Sequence, residues 1–478
     1  MIQGYRSLCL SVAVCLVAAA VHAQTPIDIG NSLELFVDRF LIENMTGTEL
    51  RLHHPHPAET VIRFDEPWEG EFVGYSTVIK DSDIYRLYYR GYPEQTKKQV
   101  TCYAESRDGI TFSKPKLGLY EVAGTRDNNI ILADTDPVTH NFSPFIDTKP
   151  GVPQSERYKA LGGSSESGLI GYVSGDGIHW RKLRDEPLIS KGAFDSQNVA
   201  FWSESEGCYV CYFRTWTGGE FAGFRTISRT TSKDFLTWSP PEEMNYGDTP
   251  HEHLYTNQTQ PYYRAPHIYL AFPMRFMPGR QVLTDEQARS IGVIGTYKGD
   301  CAEVVFMSSR GGNRYDRTFM EGFIRPGLDP GNWASRAGMA VLGVIPTGPA
   351  ELSLYKQAHY AQPTGHLVRY TIRTDGFVSV NAPYSGGEFL TKPLIFDGSE
   401  LVINFSTSAA GSIKVEIQDI QGNPVPEYSM ENAAETIGDE IERTVSWKNG
   451  ADVSPMAGKP VRLRFMMMDA DLYSLRFR

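Results

Sequence analysis

The feature that most constrains the fold of this chain is a short motif that recurs along its middle. Three close copies have a Ser, an Asp two residues later, a turn residue and then an aromatic residue; they lie at 106–112, 174–180 and 232–238. Weaker copies lie at 309–315 and 373–377. In such a motif the Asp accepts backbone N–H bonds across a tight turn, Gly supplies a positive φ, and the aromatic side chain anchors the next strand. The five copies predict five similar units.

A strand-like segment precedes each copy of the motif. These segments lie at 85–90, 157–161, 208–213, 268–272 and 352–355, and the chain has almost no helical periodicity, which is typical of an all-β protein. Successive units are roughly 60 to 75 residues apart, and that length is enough for the four strands of a propeller blade. The sequence therefore predicts a five-bladed β-propeller with blades near 62–125, 126–191, 192–247, 248–330 and 331–384.

The predicted domains are a propeller at 24–384 and a β-sandwich at 385–478. Segment 28–56 is expected to be an N-terminal strand that wraps across the blades and closes the ring. After residue 385 the chain alternates apolar and polar residues in short strands, such as 401–405 and 461–466, which favours a sandwich. Whether this second domain binds sugar or braces the propeller stays open.

The first 23 residues have the pattern of a signal peptide. A short charged start is followed by an apolar run from Leu8 to Val21 and by a small-residue cleavage site before Gln24. The apolar run is too short to span a bilayer. We therefore expect a secreted or periplasmic protein. Lipidation at Cys15 is the less favoured alternative, because the residues before it lack the usual leucine-containing motif.

The charge pattern excludes some classes of partner. The chain carries a formal net charge of -11, and its Lys and Arg residues are scattered. Nucleic acids and anionic membrane surfaces require basic patches, so neither is an expected partner. A polyanionic substrate stays open, because a local Arg cluster could bind sulfate or carboxylate. The sequence does not predict the oligomeric state.

No metal or other cofactor is expected, although a structural divalent cation stays open. Cys208 and Cys211 are three residues apart in a predicted strand, so their side chains point to opposite faces and are expected to be buried apolar groups. His251 and His253 would share one face of a strand, but no third ligand lies near them in the sequence.

The repeat, the segments 252–261 and 323–327, and the strands after residue 382 resemble exported bacterial proteins of the five-bladed propeller glycosidase superfamily, which includes glycoside hydrolase families 32, 43 and 117. The invertase-type Trp-x-Asn-Asp-Pro-Asn-Gly motif and the Arg-Asp-Pro and Glu-Cys motifs are absent, so a direct fructofuranosidase assignment does not follow. The resemblance implies a carbohydrate substrate and a site in the central funnel, with carboxylates from different blades.

Three carboxylates are candidate catalytic residues, because each lies just before the first strand of a predicted blade. They are Glu69, Asp195 and Glu252. Glycoside hydrolysis needs one carboxylic acid to protonate the leaving oxygen and one carboxylate as base or nucleophile. We expect Glu252 to be the proton donor, with its pKa raised by partial burial, and Glu69 or Asp195 to be the base. Stereochemistry is not predicted.

Other polar and aromatic residues in the same segments are candidate substrate-binding groups. An indole can stack on a sugar, amides and imidazoles can bind hydroxyl groups, and a guanidinium can bind an anionic substituent. The candidates are Trp68, His140, Asn141, Asn198, His251, His253, Tyr255, Asn257 and Arg336.

The preferred interpretation is an exported glycoside hydrolase, and two alternatives remain. In the first, the propeller binds a glycan without cleaving it. In the second, the protein is a sialidase-like hydrolase, which would need a tyrosine nucleophile and an arginine triad in the funnel; Arg264, Arg275 and Arg336 are available for that triad. The sugar, the linkage and exo or endo action are not predicted.

Overall fold

The fold is all-β. The computed structural model describes residues 25–219 and 221–478, so the predicted signal peptide lies outside the described residues. Within these ranges there is one α-helix, Asp285–Ser290, and there are six 3-10 turns: Val138–His140, Gln154–Glu156, Gly295–Gly299, Pro330–Trp333, Pro426–Tyr428 and Ser454–Met456. In the same ranges, no helix has both the length and the apolar character needed to cross a membrane.

Five antiparallel sheets follow one another along the chain, as the repeat predicts. The first sheet contains Gly74–Asp81, Ile84–Gly91, Val100–Ser106 and Ile130–Leu132. The second contains Ser143–Ile146, Tyr158–Ser164, Gly168–Ser174 and Arg181–Lys182. The third contains Val199–Ser203, Cys208–Trp216, Arg225–Ser232 and Glu242–Glu243.

The last two sheets differ from this pattern. The fourth contains Gln260–Tyr262, Ala265–Ala271 and Met307–Ser309, and its chain continues into a separate three-stranded sheet of Met274–Met277, Cys301–Val305 and Gly322–Ile324. The fifth contains Ile345–Gly348, Glu351–Ala358 and His366–Arg373, with His56–Arg63 as its outer strand. The start and the end of the five-sheet region therefore meet in one sheet.

The first strands of the five sheets surround one channel. A cavity of about 600 Å³ is lined by residues from all five, at 77–80, 144–146, 199–201, 259–261 and 342–346. Thr77 of the first sheet forms a parallel bridge with Leu342, which precedes the fifth. The backbone N–H of Val344 donates to Gln260 of the fourth sheet at 3.2 Å. The ring of strands is closed.

The repeated motif has the predicted geometry. The carboxylates of Asp108, Asp176 and Asp234 each accept two backbone N–H bonds, at 2.7–2.9 Å. An aromatic side chain in or next to each of the five motifs packs on the sheet that precedes it around the ring. The pairs and their ring-centroid distances are Phe112–Tyr355 (6.0 Å), Trp180–Tyr88 (6.4 Å), Phe235–Phe145 (5.8 Å), Tyr315–Tyr212 (6.0 Å) and Phe377–Tyr262 (5.8 Å). The motif therefore joins neighbouring sheets.

The N-terminal segment differs from the expectation that 28–56 wraps across the five sheets. Its strands pair with the C-terminal region instead: Ile27–Gly30 with Leu394–Phe396, Glu34–Leu35 with Arg462–Phe477, Ile42–Thr46 with Gly387–Thr391, and Glu49–Leu52 with Val378–Ala382. The first of these pairs is a separate two-stranded sheet. The other three pairs, with Leu401–Gln418 and Asp439–Thr444, form one eight-stranded C-terminal sheet. Its buried core includes Phe36, Phe405 and Phe465.

Candidate active site at the mouth of the channel

Five side chains from five different segments meet at one mouth of the channel. Each lies at or before the first strand of a sheet; in chain order they are Tyr75, His140, Asp195, Tyr255 and Arg336. The Tyr75 hydroxyl donates to the Asp195 backbone oxygen at 3.0 Å, and its ring centroid lies 5.4 Å from that of His140. The sequence predicted all of these except Tyr75.

Three arginines surround Tyr255. The guanidinium carbons of Arg214, Arg336 and Arg225 lie 4.6, 5.1 and 5.6 Å from the centroid of its ring. Arg214 comes from the second strand of the third sheet and Arg225 from its third strand, so neighbouring strands direct both toward the mouth. Arg336 is among the residues predicted from the sequence, and Arg214 and Arg225 are not.

The charge of this cluster is unbalanced. Arg214 forms an ion pair with Asp195, the one carboxylate among the described residues found within ion-pair distance of the three arginines. Buried guanidinium nitrogens of Arg214, Arg225 and Arg336 have no hydrogen-bond partner among the same residues. Buried, unpaired cationic groups are costly, so a bound anion would stabilise them.

The pKa of Tyr255 reflects this positive charge. Its side chain is 5% exposed, and burial acts to raise the pKa of the phenol. The charges of Arg336 and Arg214 outweigh burial and lower the pKa from an ordinary value of 10.0 to about 8. A fraction of Tyr255 is therefore phenolate, a nucleophile, at neutral pH.

His140 is held neutral. Burial and the charges of Arg90 and Arg214 lower its pKa to about 3. The Nδ1 atom lies 3.2 Å from Nη1 of Arg90. Nδ1 also lies 3.0 Å from Oε1 of Gln99, and Nε2 lies 3.4 Å from the Asp195 backbone oxygen. His140 therefore orients the segment around Asp195 and is poorly suited to proton transfer.

The backbone is strained at two of these positions. Tyr75 has a φ of 51° and Arg336 a φ of 62°, in the left-handed region that bulky residues avoid. Such a conformation costs on the order of 1–3 kcal/mol and persists where the surroundings enforce it. The guanidinium of Arg90 lies 4.9 Å from the Tyr75 ring, and that of Arg336 lies 5.1 Å from the ring of Tyr297. Packing thus fixes both side chains in the cluster.

Three asparagines that were expected to bind sugar are buried and donate hydrogen bonds to the backbone instead. Asn141 and Asn198 each donate a 2.9 Å hydrogen bond to the backbone oxygen of Ser196, and Asn257 donates to that of Gln197 at 3.4 Å. All three are at most 1% exposed. They position the segment that carries Asp195.

Glu69 and Trp68 lie away from the mouth. The Glu69 side chain is fully buried, 2.8 Å from the Lys114 ammonium and 2.6 Å from the Tyr89 hydroxyl, and burial raises its pKa although Lys114 opposes this. The Trp68 indole N–H donates to Asn129 at 2.7 Å inside the same region. Because the loop folds into the core beside the first sheet, neither side chain has a surface that a sugar could reach.

Glu252 faces a different cavity from Tyr255. Successive residues of an extended segment point to opposite sides, so Glu252 lies on the far side from His253 and Tyr255. Its carboxylate pairs with Arg275 at 2.6 Å and Arg317 at 2.9 Å. It borders a cavity of about 440 Å³ beside the cluster. These ion pairs give Glu252 a structural role, which differs from the expected role of general acid.

The arginine triad considered from the sequence is only partly assembled. Arg264 lies 3.2 Å from Asp375, and Arg275 pairs with Glu252, so both are outside the cluster. Arg336 alone of the three lies beside Tyr255.

The imidazoles of His251 and His253 lie next to the cluster and contact aromatic rings. The ring of His251 is stacked 5.7 Å from that of Phe224, and the ring of His253 lies 4.9 Å from it. The described part of the chain contains no group of three or more His, Cys, Asp or Glu residues placed to hold a metal ion. Its free cysteines, Cys102, Cys208, Cys211 and Cys301, are buried.

Comparison with known proteins finds solved structures of low similarity. No family model matches the chain, and no curated protein matches it. A solved "Glycoside hydrolase" covers 67% of this chain and 92% of its own, with a TM-score of 0.45 and 13% identity. A solved BT0996 RGII complex covers 68% of this chain and 93% of its own, with a TM-score of 0.46 and 13% identity. The third is an N-acetylgalactosamine deacetylase from F. plautii in complex with blood group B trisaccharide. It covers 68% of this chain and 95% of its own, with a TM-score of 0.41 and 11% identity.

Proposed function

We propose that this chain is an exported five-bladed β-propeller glycoside hydrolase that acts on a sugar carrying an anionic group. The five sheets, from His56 to Arg373, are the blades of the propeller, and residues 385–478 form a second domain together with the N-terminal strands that pair with them. Support for the propeller comes from the closed ring of first strands and from the motif that joins each sheet to the one before it. The observation that carries the substrate class is the set of three guanidinium groups around Tyr255.

The arginines favour a carboxylate, sulfate or similar group on the substrate. A guanidinium presents paired N–H donors that match two oxygens of such a group, and the match is strongest where water is excluded. Arg214 is 3% exposed. A substrate anion that binds Arg336 and Arg214 would compete with Asp195 for Arg214, and so would release the Asp195 carboxylate for proton transfer.

Tyr255 and Asp195 supply the chemistry in this proposal. The Tyr255 phenolate oxygen attacks the anomeric carbon while the glycosidic bond to the leaving oxygen breaks. That oxygen takes its proton from Asp195, which has gained one from solvent after release from Arg214. Asp195, now a carboxylate, then removes a proton from water, which attacks the anomeric carbon and returns the Tyr255 oxygen as phenolate. Tyrosine is a known alternative to the second carboxylate of glycosidases.

Hydrolysis assays test the proposal. The protein from Gln24 onward should release the aglycone from aryl glycosides of glucuronic, galacturonic or sialic acid and leave neutral aryl glucosides and galactosides intact. Tyr255→Phe should remove at least 99% of the activity, about 3 kcal/mol of barrier, while Tyr263→Phe, at a tyrosine that is 48% exposed, serves as the control. Cleavage of neutral glycosides that survives Tyr255→Phe would contradict it.

The second candidate function is glycan binding without cleavage, because the same arginines would hold an acidic sugar in either case. Binding of acidic sugars with no hydrolysis by the unmodified protein would establish this alternative.

A further inference from the structure

A row of side chains leads from the protein surface to Tyr255. His251, His253 and Tyr255 alternate along one extended segment, so they share a face. The Tyr255 N–H donates to the Met274 oxygen and the Phe276 N–H to the His253 oxygen, both at 2.8 Å, which fixes this orientation. Exposure falls along the row: His251 is exposed, His253 is half-buried and Tyr255 is buried.

Aromatic rings cover the outer part of this row. The Phe224 ring lies parallel to that of His251, at an interplanar angle of 21°, and contacts His253 as well. Trp216 lies 6.4 Å from His253, and Phe221 lies 6.0 Å from Trp216. Phe221 is 56% exposed and Phe224 is 40% exposed. We call these five residues the aromatic patch.

The aromatic patch is continuous with the arginine cluster. Arg225 follows Phe224 in the chain, and its guanidinium lies 4.4 Å from the Trp216 ring and 5.6 Å from the Tyr255 ring. A ligand that reaches the arginines and extends outward therefore contacts the patch next. Exposed apolar surface beside charged side chains is typical of a ligand-binding site.

The patch has the chemistry of a site for an uncharged sugar. His253 accepts the Arg225 backbone N–H at Nδ1, at 3.1 Å, and burial and the charge of Arg225 lower its pKa. A neutral imidazole among phenyl and indole rings offers flat apolar faces. The C–H face of a pyranose or furanose can lie on such rings, whereas a second acidic sugar would gain little from them.

We infer that the aromatic patch is a second sugar-binding subsite, which takes a neutral sugar linked to the acidic sugar held at Tyr255. This inference rests on the proposed function and deepens it: the substrate is an oligosaccharide or polysaccharide in which acidic and neutral sugars are joined. The sugar at the patch contributes binding, and the acidic sugar takes part in the reaction.

Calorimetry on Tyr255→Phe tests the inference with three pairs of ligands: methyl glucuronide and glucuronosyl-xylose, galacturonic acid and galacturonosyl-rhamnose, sialic acid and sialyllactose. In at least one pair the disaccharide or longer ligand should bind about tenfold more tightly than the acidic sugar alone. Adding Phe224→Ala should erase that gain and leave affinity for the acidic sugar within twofold. Adding Tyr384→Ala, at an aromatic residue that is 70% exposed, is the matched control and should change neither.

The outcomes separate the two proposals. One contrary result is that the acidic sugar binds and the longer ligand binds no more tightly; another is that the longer ligand keeps its higher affinity in the Phe224→Ala variant. Either result contradicts the subsite and leaves the proposed function standing. If no ligand of any pair binds, both the subsite and the proposed function are contradicted.

Discussion

At Tyr255, burial and positive charge act in opposite directions on one phenol. Most buried tyrosines of this protein have raised pKa values, as desolvation of a phenolate requires; Tyr212 is one, although Arg229 opposes the effect. At Tyr255 the charges of Arg336 and Arg214 outweigh burial. Tyr158 also has two guanidinium groups beside its ring, but burial and a hydrogen bond to Asp81 raise its pKa. The arrangement at Tyr255 thereby favours the phenolate form near neutral pH without a carboxylate to deprotonate the phenol.

Titration of the tyrosines by ultraviolet difference absorbance should show one phenol with a pKa of about 8. Tyr255→Phe should remove this step, and Arg336→Ala should move it to higher pH, because removing a positive charge destabilises the phenolate. Tyr384→Phe should leave it in place. A step near pH 8 that persists in Tyr255→Phe would show that another group titrates there.

Substitution of Arg336 should weaken recognition of the acidic group. Arg336→Ala should lower kcat/KM on an acidic aryl glycoside by about 10- to 100-fold, because a hydrogen bond to a charged group contributes roughly 1.5–3 kcal/mol. Arg336→Lys should recover part of this loss, since it keeps the charge without the paired donors. Arg289→Ala, at an exposed helical position, is the control. An equal loss in Arg289→Ala, or none in Arg336→Ala, would contradict the role.

The sequence predicted four of the five residues at the mouth, because they lie just before first strands. It missed Arg90 and Arg214, which both follow two aromatic residues near the end of a second strand, in Tyr-Tyr-Arg and Tyr-Phe-Arg. An arginine at the same position of two repeats was the available signal. Glu252 was predicted as the general acid because two histidines flank it, but strand alternation places its side chain on the opposite face from theirs.

At the scale of elements, sheets are joined by a few polar contacts as well as by aromatic packing. Asp81, at the end of the first strand of the first sheet, pairs with Arg86 of that sheet and with Arg157, the residue just before the strand Tyr158–Ser164 of the second sheet. Hydrogen bonding to Arg157 is the largest cause of its low pKa, which is about 2. The contact links two neighbouring sheets through a carboxylate that is 8% exposed.

Asp81→Asn should lower the free energy of unfolding at pH 7 by about 2 kcal/mol. The folded pKa lies below the ordinary value of 3.8, so this contribution is present above about pH 4 and is lost as the pH falls toward 2. Chemical denaturation of the unmodified protein and of Asp81→Asn at pH 7, 5 and 3 measures the difference in their free energies of unfolding, which should become smaller as the pH falls. Asp83→Asn, at an exposed position nearby, should cost little at any pH. A difference that stays constant with pH would contradict the linkage.

Local sequence predicted the five sheets because the motif and the strand before it are both short-range features. It could not predict which strand completes the fifth sheet or where the N-terminal strands pair. Those partners, such as Ile42–Thr46 and Gly387–Thr391, lie more than 300 residues apart, and nothing in a strand's own alternation specifies a partner at that distance.

At the scale of the whole molecule, the two ends of the chain depend on each other. Buried Ile29, Phe36 and Leu41 from the N-terminal segment belong to the same core as Phe405 and Phe465. The boundary at residue 385 therefore separates two stretches of sequence, but residues on both sides of it belong to the same hydrophobic core.

A chain that ends at residue 384 should fail to fold cooperatively. It would expose Ile29, Phe36 and Leu41 and leave strand edges unpaired, which favours aggregation. Circular dichroism during heating, with the chain 24–478 as the control, measures this. A truncated chain that melts cooperatively at the same temperature as the control would show that residues 25–384 are independent of the rest.

The proposed reaction requires Tyr255 to act as the nucleophile. The most direct test is mass spectrometry of the protein after reaction with fluorinated analogues of glucuronic and sialic acid, which slow hydrolysis of a covalent intermediate. We predict one sugar adduct on the protein, and peptide mapping should place it on Tyr255. An adduct on Asp195 or Glu252, or none from a protein that still hydrolyses acidic glycosides, would contradict the account.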